Sequence, residues 1–247
     1  MWLFSESSHF VYVVHFKPDS LSDKNERELM VLDINQEKAK FYPLEYLKND
    51  SLFHAKGEYV YTYPKLNIKL ERKLGSEENQ NFYNQSPLYY LYNTKDKQNW
   101  NISNETKQID RYNVQKATTN FGGRTWEAWF TTEIPISEGP YKFRGLPGLI
   151  IAIKDSKSDY DFQLTAVRNH SKSYDTTYFI ENLNQLKPLK ISEKQFQKLQ
   201  LDYFDNPSKD YPSNALYVKN KDGEITKVDT KKLNEQMQNY LRKRNNP

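Results

Sequence analysis

The chain has 247 residues, a length that suits one large β domain, so we treat residues 1–247 as a single β-rich domain. Its 36 basic and 32 acidic residues give a formal net charge of only +4, which offers no strong uniform field and makes nucleic acid an unexpected partner. The absence of cysteine excludes disulfides, thiolate metal ligands and cysteine nucleophiles, and no apolar run reaches the roughly 18 residues of a transmembrane segment.

The first half of the chain predicts strands. Aromatic residues make up 15% of the sequence, with 19 Tyr and 13 Phe, and this composition favours sheet. An alternating run from His9 to Lys17 predicts a strand buried on both faces. Residues 44–55 carry apolar side chains at helical spacing and are compatible with a short helix. Further β-type runs, bounded by turn residues, lie at 28–34, 39–42, 58–63, 66–71 and 88–92.

The middle of the chain predicts the clearest local structure. Two β-type runs, 99–103 and 107–120, precede a turn at Gly122 and Gly123, and a strand at 125–136 follows. The glycine pair supplies the positive φ angles that a tight hairpin requires. After a turn-rich connector come strands at 149–154 and 160–169. We therefore expect residues 107–167 to form the hairpin core of the sheet.

The C-terminal part predicts two helices. Ser192 and Gln195 have the spacing of a capping box, and a helix follows them up to Asn206. A last helix is predicted at residues 230–243, with basic residues in its final turn. The predicted fold is thus mainly β: an antiparallel, strongly twisted open sheet or half-barrel with a few peripheral helices, two of them near the C-terminus.

The polar residues show no catalytic or metal-binding spacing. His9 and His15 share one strand face but lie roughly 20 Å apart, too far to hold one metal ion. Serines occur in no nucleophile-elbow motif. Glu127 and Glu133 share a strand face, where surface charges are the simpler interpretation. We predict no metal site, no cofactor and no catalytic residue from these spacings.

The segment 126–150 is more distinctive than the composition. Its residues Gly145-Leu146-Pro147-Gly148-Leu149-Ile150 spell the signature of the GLPGLI family, and the chain resembles that family over about residues 107–167. The resemblance implies a secreted or periplasmic protein of Bacteroidota-type cells. It also implies a family whose activity is not established and whose genes often accompany those of outer-membrane β-barrels or TonB-dependent receptors. Similar proteins commonly carry a cysteine where this chain has Asn113 and Val114.

The motif supports two interpretations, of which we weight structure above recognition. Proline and glycine fix or permit special backbone angles, and we expect Gly148 to have a positive φ. The residues with a predicted structural role are Gly139, Pro140, Gly145, Leu146, Pro147, Gly148, Leu149 and Ile150. The residues of a predicted recognition surface are the aromatic and cationic ones beside the turn: Trp126, Trp129, Tyr141, Lys142, Phe143 and Arg144.

These observations lead to two functional hypotheses. The first is a binding or assembly protein of the cell envelope that contacts an outer-membrane protein, or an apolar or peptide ligand, through the motif. The alternative is an envelope hydrolase whose site assembles from distant polar residues, namely Glu127, Glu133, Asp155 and His170. The first residues, Met1 to Ser8, lack the regions of a secretory signal, so we expect a cytoplasmic protein or a processed form.

Overall fold

The computed structural model describes residues 7–19, 23–57, 64–85, 88–170, 175–183, 186–209, 217–219 and 224–243. Within these ranges twelve strands join into one sheet. The strands of its first half are β1 (Ser7–Phe16), β2 (Glu26–Asn35), β3 (Lys38–Pro43), β4 (Lys69–Lys73), β5 (Glu78–Gln85) and β6 (Leu88–Lys95). Those of its second half are β7 (Asn101–Ile109), β8 (Tyr112–Phe121), β9 (Arg124–Thr131), β10 (Leu149–Asp155), β11 (Tyr160–His170) and β12 (Leu189–Lys190).

Three α-helices and a π-helical turn accompany the sheet in the described ranges. The helices are α1 (Leu44–Lys56), α2 (Glu193–Asp205) and α3 (Thr230–Lys243), and the π turn is Thr177–Glu181. Two further strands, β13 (Tyr217–Lys219) and β14 (Ile225–Lys227), pair with each other. The mainly β, open and twisted fold with peripheral helices near the C-terminus is therefore confirmed.

The sheet consists of two antiparallel meanders joined through β1. Its strand order is β12-β6-β5-β4-β3-β2-β1-β11-β10-β9-β8-β7. Neighbouring strands of this sheet run antiparallel wherever their residue pairing is assigned, except that β12 runs parallel to β6. Strand β1 pairs with β2 on one side and with β11 on the other, where Ser7 lies opposite His170. This long-range pairing places the second meander beside the first.

The face of the sheet that carries Phe10 and Tyr12 is called the inner face. Side chains alternate between the two faces of a strand, so every second residue of β1 points this way. Phe10 and Tyr12 are fully buried there in the larger apolar cluster, which also contains Trp126 and Phe162 from the second meander. The hydroxyl of Tyr12 donates to the carbonyl of Ile150 at 2.7 Å. Burial of these large rings is the main stabilising contribution to the domain.

The opposite, outer face is covered in part by α1 and the π turn. Val31 and Tyr42 alternate to this face and are fully buried in a second apolar cluster. The ring of Phe179 in the π turn stacks on Tyr46 of α1, with centroids 5.7 Å apart. The predicted helix at 44–55 is thus confirmed, and it packs on the sheet instead of extending it.

Several predicted boundaries were wrong. The run 107–120 is divided by a turn at Asp110, whose φ is 51°, into β7 and β8. The strand predicted at 125–136 ends at Thr131, because the chain then leaves the sheet. Strand β5 was not predicted, since its Asn and Gln residues have low β propensity. The strand predicted at 58–63 lies outside the described residues.

The loop between β9 and β10, residues 132–148, lies against the inner face and is called the motif loop. Its Ile134, Phe143 and Leu146 are buried in the larger apolar cluster. The ring of Phe143 lies 4.6 Å from that of Trp126. The amide of Gly145 donates to the carbonyl of Ser137 at 3.2 Å, which holds the loop in a compact turn. The motif loop therefore forms part of the core.

The end of the motif should be sensitive to truncation of its apolar side chains. Leu149 and Ile150 are both 0% exposed. We expect Leu149→Ala and Ile150→Ala each to destabilise the chain by about 2 to 5 kcal/mol, through lost burial and a residual cavity. Thermal or urea unfolding measures this loss. The exposed Leu201 of α2 provides the control, because Leu201→Ala removes the same atoms from solvent-facing surface. Equal losses at Leu201 and Leu149 would contradict the packing described here.

Candidate functional site

A buried ion pair fixes the motif loop to strand β4. Arg72, which shares the inner face with Leu70, donates from Nε to Oε2 of Glu138 at 2.8 Å. Its Nη1 donates to the carbonyl of Tyr141 at 2.7 Å. Tyr141 has a φ of 55°, an unusual value for a residue with a side chain. The guanidinium thus contacts the motif loop at two points, the carboxylate of Glu138 and the carbonyl of Tyr141.

A second polar contact joins the loop to the end of β6 and the residue that follows it. The ammonium of Lys142 lies 3.0 Å from Oδ2 of Asp96 and 3.1 Å from the hydroxyl of Thr94. The amide of Asn79 in β5 also donates to Oδ2 of Asp96, at 2.8 Å. Both Lys142 and Asn79 are buried. Strand β5, which was not predicted, therefore contributes a polar side chain to this contact.

Arg144 has a different set of partners. It is 8% exposed, and its Nη1 donates to the side-chain oxygen of Asn79 at 3.1 Å. Its Nη2 donates to the carbonyl of Asp96 at 3.2 Å. These acceptors are neutral, and the ion pairs of the described residues include none for Arg144. Burial, and secondarily the charge of Arg72, lower the pKa of the Arg144 guanidinium.

A cavity of about 550 Å³ opens beside these residues and is called the motif-loop cavity. Four parts of the chain line it: the end of β2 at Ile34, the turn 74–77 between β4 and β5, residues 96–98, and the motif loop. From the motif loop it is lined by Ser137, Glu138, Arg144 and Gly145, among others. Its size lies within the range of small-molecule sites, roughly 300 to 1,000 Å³.

The predicted recognition residues do not form one exposed surface. Trp126 and Phe143 are 1% and 0% exposed and lie in the core, so neither ring offers area to a partner. Trp129 alternates to the outer face, where the ammonium of Lys107 lies 3.7 Å from its ring centroid. Lys142 and Arg144 belong to the polar contacts of the motif loop. Arg144 alone of the six lines the motif-loop cavity.

Sequence reasoning missed the residues that surround Arg144. Arg72, Asn79, Asp96 and Gln98 come from strands and connections up to about 70 residues before the motif, and no short motif links them to it. The one usable signal is Arg72 itself. It occupies an alternating β position next to apolar residues, and a charged side chain at such a position needs a buried partner.

The residues of the hydrolase alternative lie in separate places. Asp155 is buried in an ion pair with Arg124 at 2.6 Å. Glu133 accepts a hydrogen bond from the amide of Asn113 at 2.9 Å. The ring of His170 lies 4.3 Å from that of His9, and burial lowers the pKa of His170. Glu127 lines a separate cavity of about 270 Å³. The motif-loop cavity is lined by none of these four.

The glycines of the motif have two different roles. Gly145 has a φ of 92°, which favours glycine. The expectation of a positive φ at Gly148 was wrong. A Cβ on Gly148 would instead lie 2.0 Å from the carbonyl oxygen of Thr131. A Cβ on Gly139 would lie 2.7 Å from Cδ1 of Ile150. Gly139 and Gly148 are therefore required by close packing.

Two further observations, on metal-binding groups and on membrane-spanning helices, apply to the residues that the structure describes. No group of three or more histidine, aspartate or glutamate residues has a geometry that could hold a metal ion there. The described helices are also too short or too polar for any of them to cross a membrane.

A family model matches a short segment of the chain. Residues 122–152 match the family model described as "Protein of unknown function (Porph_ging)", a Bacteroidota-type domain. The matched segment contains the Gly122 turn, β9, the motif loop and the start of β10, and it includes the GLPGLI letters. The GLPGLI family name remains a prediction from the sequence. The chain matches none of the curated proteins with which it was compared.

Solved structures of PNGF-II have a similar fold. The structure in space group P21 aligns with a TM-score of 0.56 and 16% identity, covering 78% of this chain and 33% of that chain. The structure in space group C2 aligns with a TM-score of 0.54 and 15% identity, covering 86% of this chain and 34% of that chain. The alignments thus span about a third of the length of the PNGF-II chain, and at this identity the similarity concerns the fold.

Proposed function

We propose that this protein is a binding protein of the cell envelope and that it holds a small ligand in the motif-loop cavity. The observation that carries the proposal is the arrangement of Arg144 and Glu138. Both are buried, both line the cavity, and both belong to the motif segment. Buried charges cost stability that an apolar lining would not. Their concentration around one cavity is typical of a ligand site.

The motif loop supports this proposal by its rigidity. Arg72 and Asn79 hold it through side-chain hydrogen bonds, and Phe143 anchors it in the core. A wall fixed in this way keeps polar groups in place before a ligand arrives, which lowers the entropic cost of binding.

The cellular setting is proposed from the sequence resemblance. We place the protein in the periplasm or outside the cell, with an outer-membrane β-barrel or TonB-dependent receptor as its partner. In this arrangement the motif loop serves the ligand, and the partner contacts another part of the surface.

Filling the cavity entrance tests the proposal. Leu74 lies in the turn between β4 and β5, is 37% exposed and lines the cavity. We expect Leu74→Trp to block ligand uptake, because the indole adds bulk at the entrance without replacing a buried residue. The purified chain is incubated with a small-molecule extract of cell envelopes, washed and denatured, and the released compounds are identified by mass spectrometry.

The matched control is Leu201→Trp, since Leu201 is also exposed but lies on α2, away from the cavity. The wild type and Leu201→Trp should release the same compound, and Leu74→Trp should release at least tenfold less, about 1.4 kcal/mol in binding free energy. Equal release by all three proteins would show that the motif-loop cavity is not the binding site.

A further inference from the structure

The charges around the motif-loop cavity leave one cation without an anionic partner. Each carboxylate that lines the cavity has its own cation: Glu138 pairs with Arg72, Asp96 with Lys142, and Glu77 with Lys97 at 3.3 Å. Arg144 is left with neutral acceptors, namely the Asn79 side chain and two backbone carbonyls. Arg72 and Lys142 lie outside the lining itself, and once they are counted with the carboxylates that they neutralise, one positive charge remains, at the largely desolvated guanidinium of Arg144.

A second group in the same wall is unsatisfied. Gln98 lines the cavity and is 9% exposed, and its Nε2 has no hydrogen-bond partner among the described residues. Nε2 is fully buried as the side chain stands, so a ligand oxygen would reach it by rotation of the Gln98 amide and would then recover the free energy that an unpaired buried donor costs. Arg144 and Gln98 lie in the same cavity, so a single acceptor group placed there satisfies both the charge and the donor.

Apolar residues form another part of the lining. Ile34 lies at the end of β2, Ile136 in the motif loop, and the partly exposed Leu74 in the turn between β4 and β5. A ligand that fits this lining has an apolar body and a single negative charge. A carboxylate matches the planar fork of a guanidinium and supplies one charge at neutral pH, whereas a phosphate brings close to two.

Building on the proposed function, we infer that the motif-loop cavity takes a small organic carboxylate with an apolar body, bound through its carboxylate to Arg144 and Gln98. The class includes aryl- and alkyl-acetates, and free phosphate esters lie outside it.

The inference is tested with matched probes that differ in charge. Phenylacetate, indole-acetate and hexanoate are titrated into the intact chain and followed by calorimetry and by NMR. Phenylacetamide and phenyl phosphate serve as the neutral and phosphate counterparts of phenylacetate. We expect at least one carboxylate to bind with a Kd of about 1 mM or lower, and phenylacetate to bind at least tenfold more tightly than phenylacetamide. The affinity should fall as salt is added.

Variants of Arg144 and Gln98 test whether these two residues are responsible for the carboxylate affinity. Gln98→Glu places a negative charge in the cavity that Arg144 lines and leaves the hydrogen bonds of Arg144 in place, so we expect it to reduce carboxylate affinity at least tenfold. Gln197→Glu is the matched control, because it makes the same charge change at an exposed position of α2 outside the cavity and should change affinity by less than about twofold. Arg144→Gln should also abolish the preference for charge, and near-UV circular dichroism shows whether that variant retains its fold.

Four outcomes would overturn the inference. These are equal binding of phenylacetate and phenylacetamide, tighter binding of phenyl phosphate, unchanged affinity in Gln98→Glu, and no binding of any carboxylate. The release experiment with Leu74→Trp tests the proposed function separately. After any of these four outcomes, the cavity remains a ligand site if Leu74→Trp loses the compound that the wild type retains. If Leu74→Trp retains that compound, the proposed function itself fails.

Discussion

Gly148→Ala is expected to destabilise the chain by at least about 3 kcal/mol, the upper end of what overpacking costs. The added Cβ would lie 2.0 Å from the carbonyl oxygen of Thr131 and 2.7 Å from its carbonyl carbon. Both atoms belong to the backbone at the end of β9, where no side chain can rotate away. Relief therefore requires the two ends of the motif loop to separate, which disturbs the start of β10.

Urea unfolding of Gly148→Ala and Gly123→Ala separates close packing from backbone strain. Gly123 has a φ of 74° and open space around it. Alanine there should cost only about 1 to 2 kcal/mol, through the left-handed backbone alone. A melting midpoint that falls by about 2 to 4 °C per kcal/mol provides a second readout. Similar losses in the two variants would show that Thr131 and Gly148 are not in close contact.

Removal of Arg72 is the second change with a large expected effect. Arg72→Met should cost about 3 to 5 kcal/mol, because it leaves the carboxylate of Glu138 buried without its cation. Glu138 is 3% exposed, and Arg72 contacts it through both Nε and Nη2. The carbonyls of Gly139 and Tyr141 lose a donor at the same time. The motif loop should loosen as a result.

A double-mutant cycle isolates the ion pair. Arg72→Met combined with Glu138→Leu removes both charges, so it should be more stable than Arg72→Met alone by about 1 to 3 kcal/mol. The control is Lys65→Met, which breaks an ion pair with Glu26 where Lys65 is 59% exposed, and this should cost far less than Arg72→Met, because solvent screens the pair. Strictly additive effects at Arg72 and Glu138 would mean that the two side chains do not interact.

The elements whose backbone conformation is determined by residues adjacent in the sequence were predictable. The hairpin at Gly122 and Gly123 forms as expected, with φ angles of 60° and 74°. The capping box of Ser192 and Gln195 starts α2. The last helix occupies Thr230–Lys243 as predicted. In each case a few adjacent residues determine the local backbone, so no knowledge of distant contacts is needed.

The site was not predictable, because distant residues form it. The pairing of β1 with β11 joins residues more than 140 positions apart, and alternation alone does not indicate which strands become neighbours. Strand β5 was missed because Asn79 and Asn81 are poor strand formers, although both are buried in contact with polar groups. The aromatic residues of the motif were assigned to a surface, because sequence does not distinguish a buried loop from an exposed one.

The decisive property of this protein is that the motif loop is a fixed wall of the cavity and not an exposed recognition loop. Native-state hydrogen exchange at Gly145 and Ile150 measures this directly, since their amides donate to Ser137 and Glu138 within the loop. We predict that both amides exchange only through global unfolding, with protection within about 1 kcal/mol of the free energy of unfolding. Exchange through local opening, several kcal/mol below that free energy, would contradict the buried wall and the ligand site built on it.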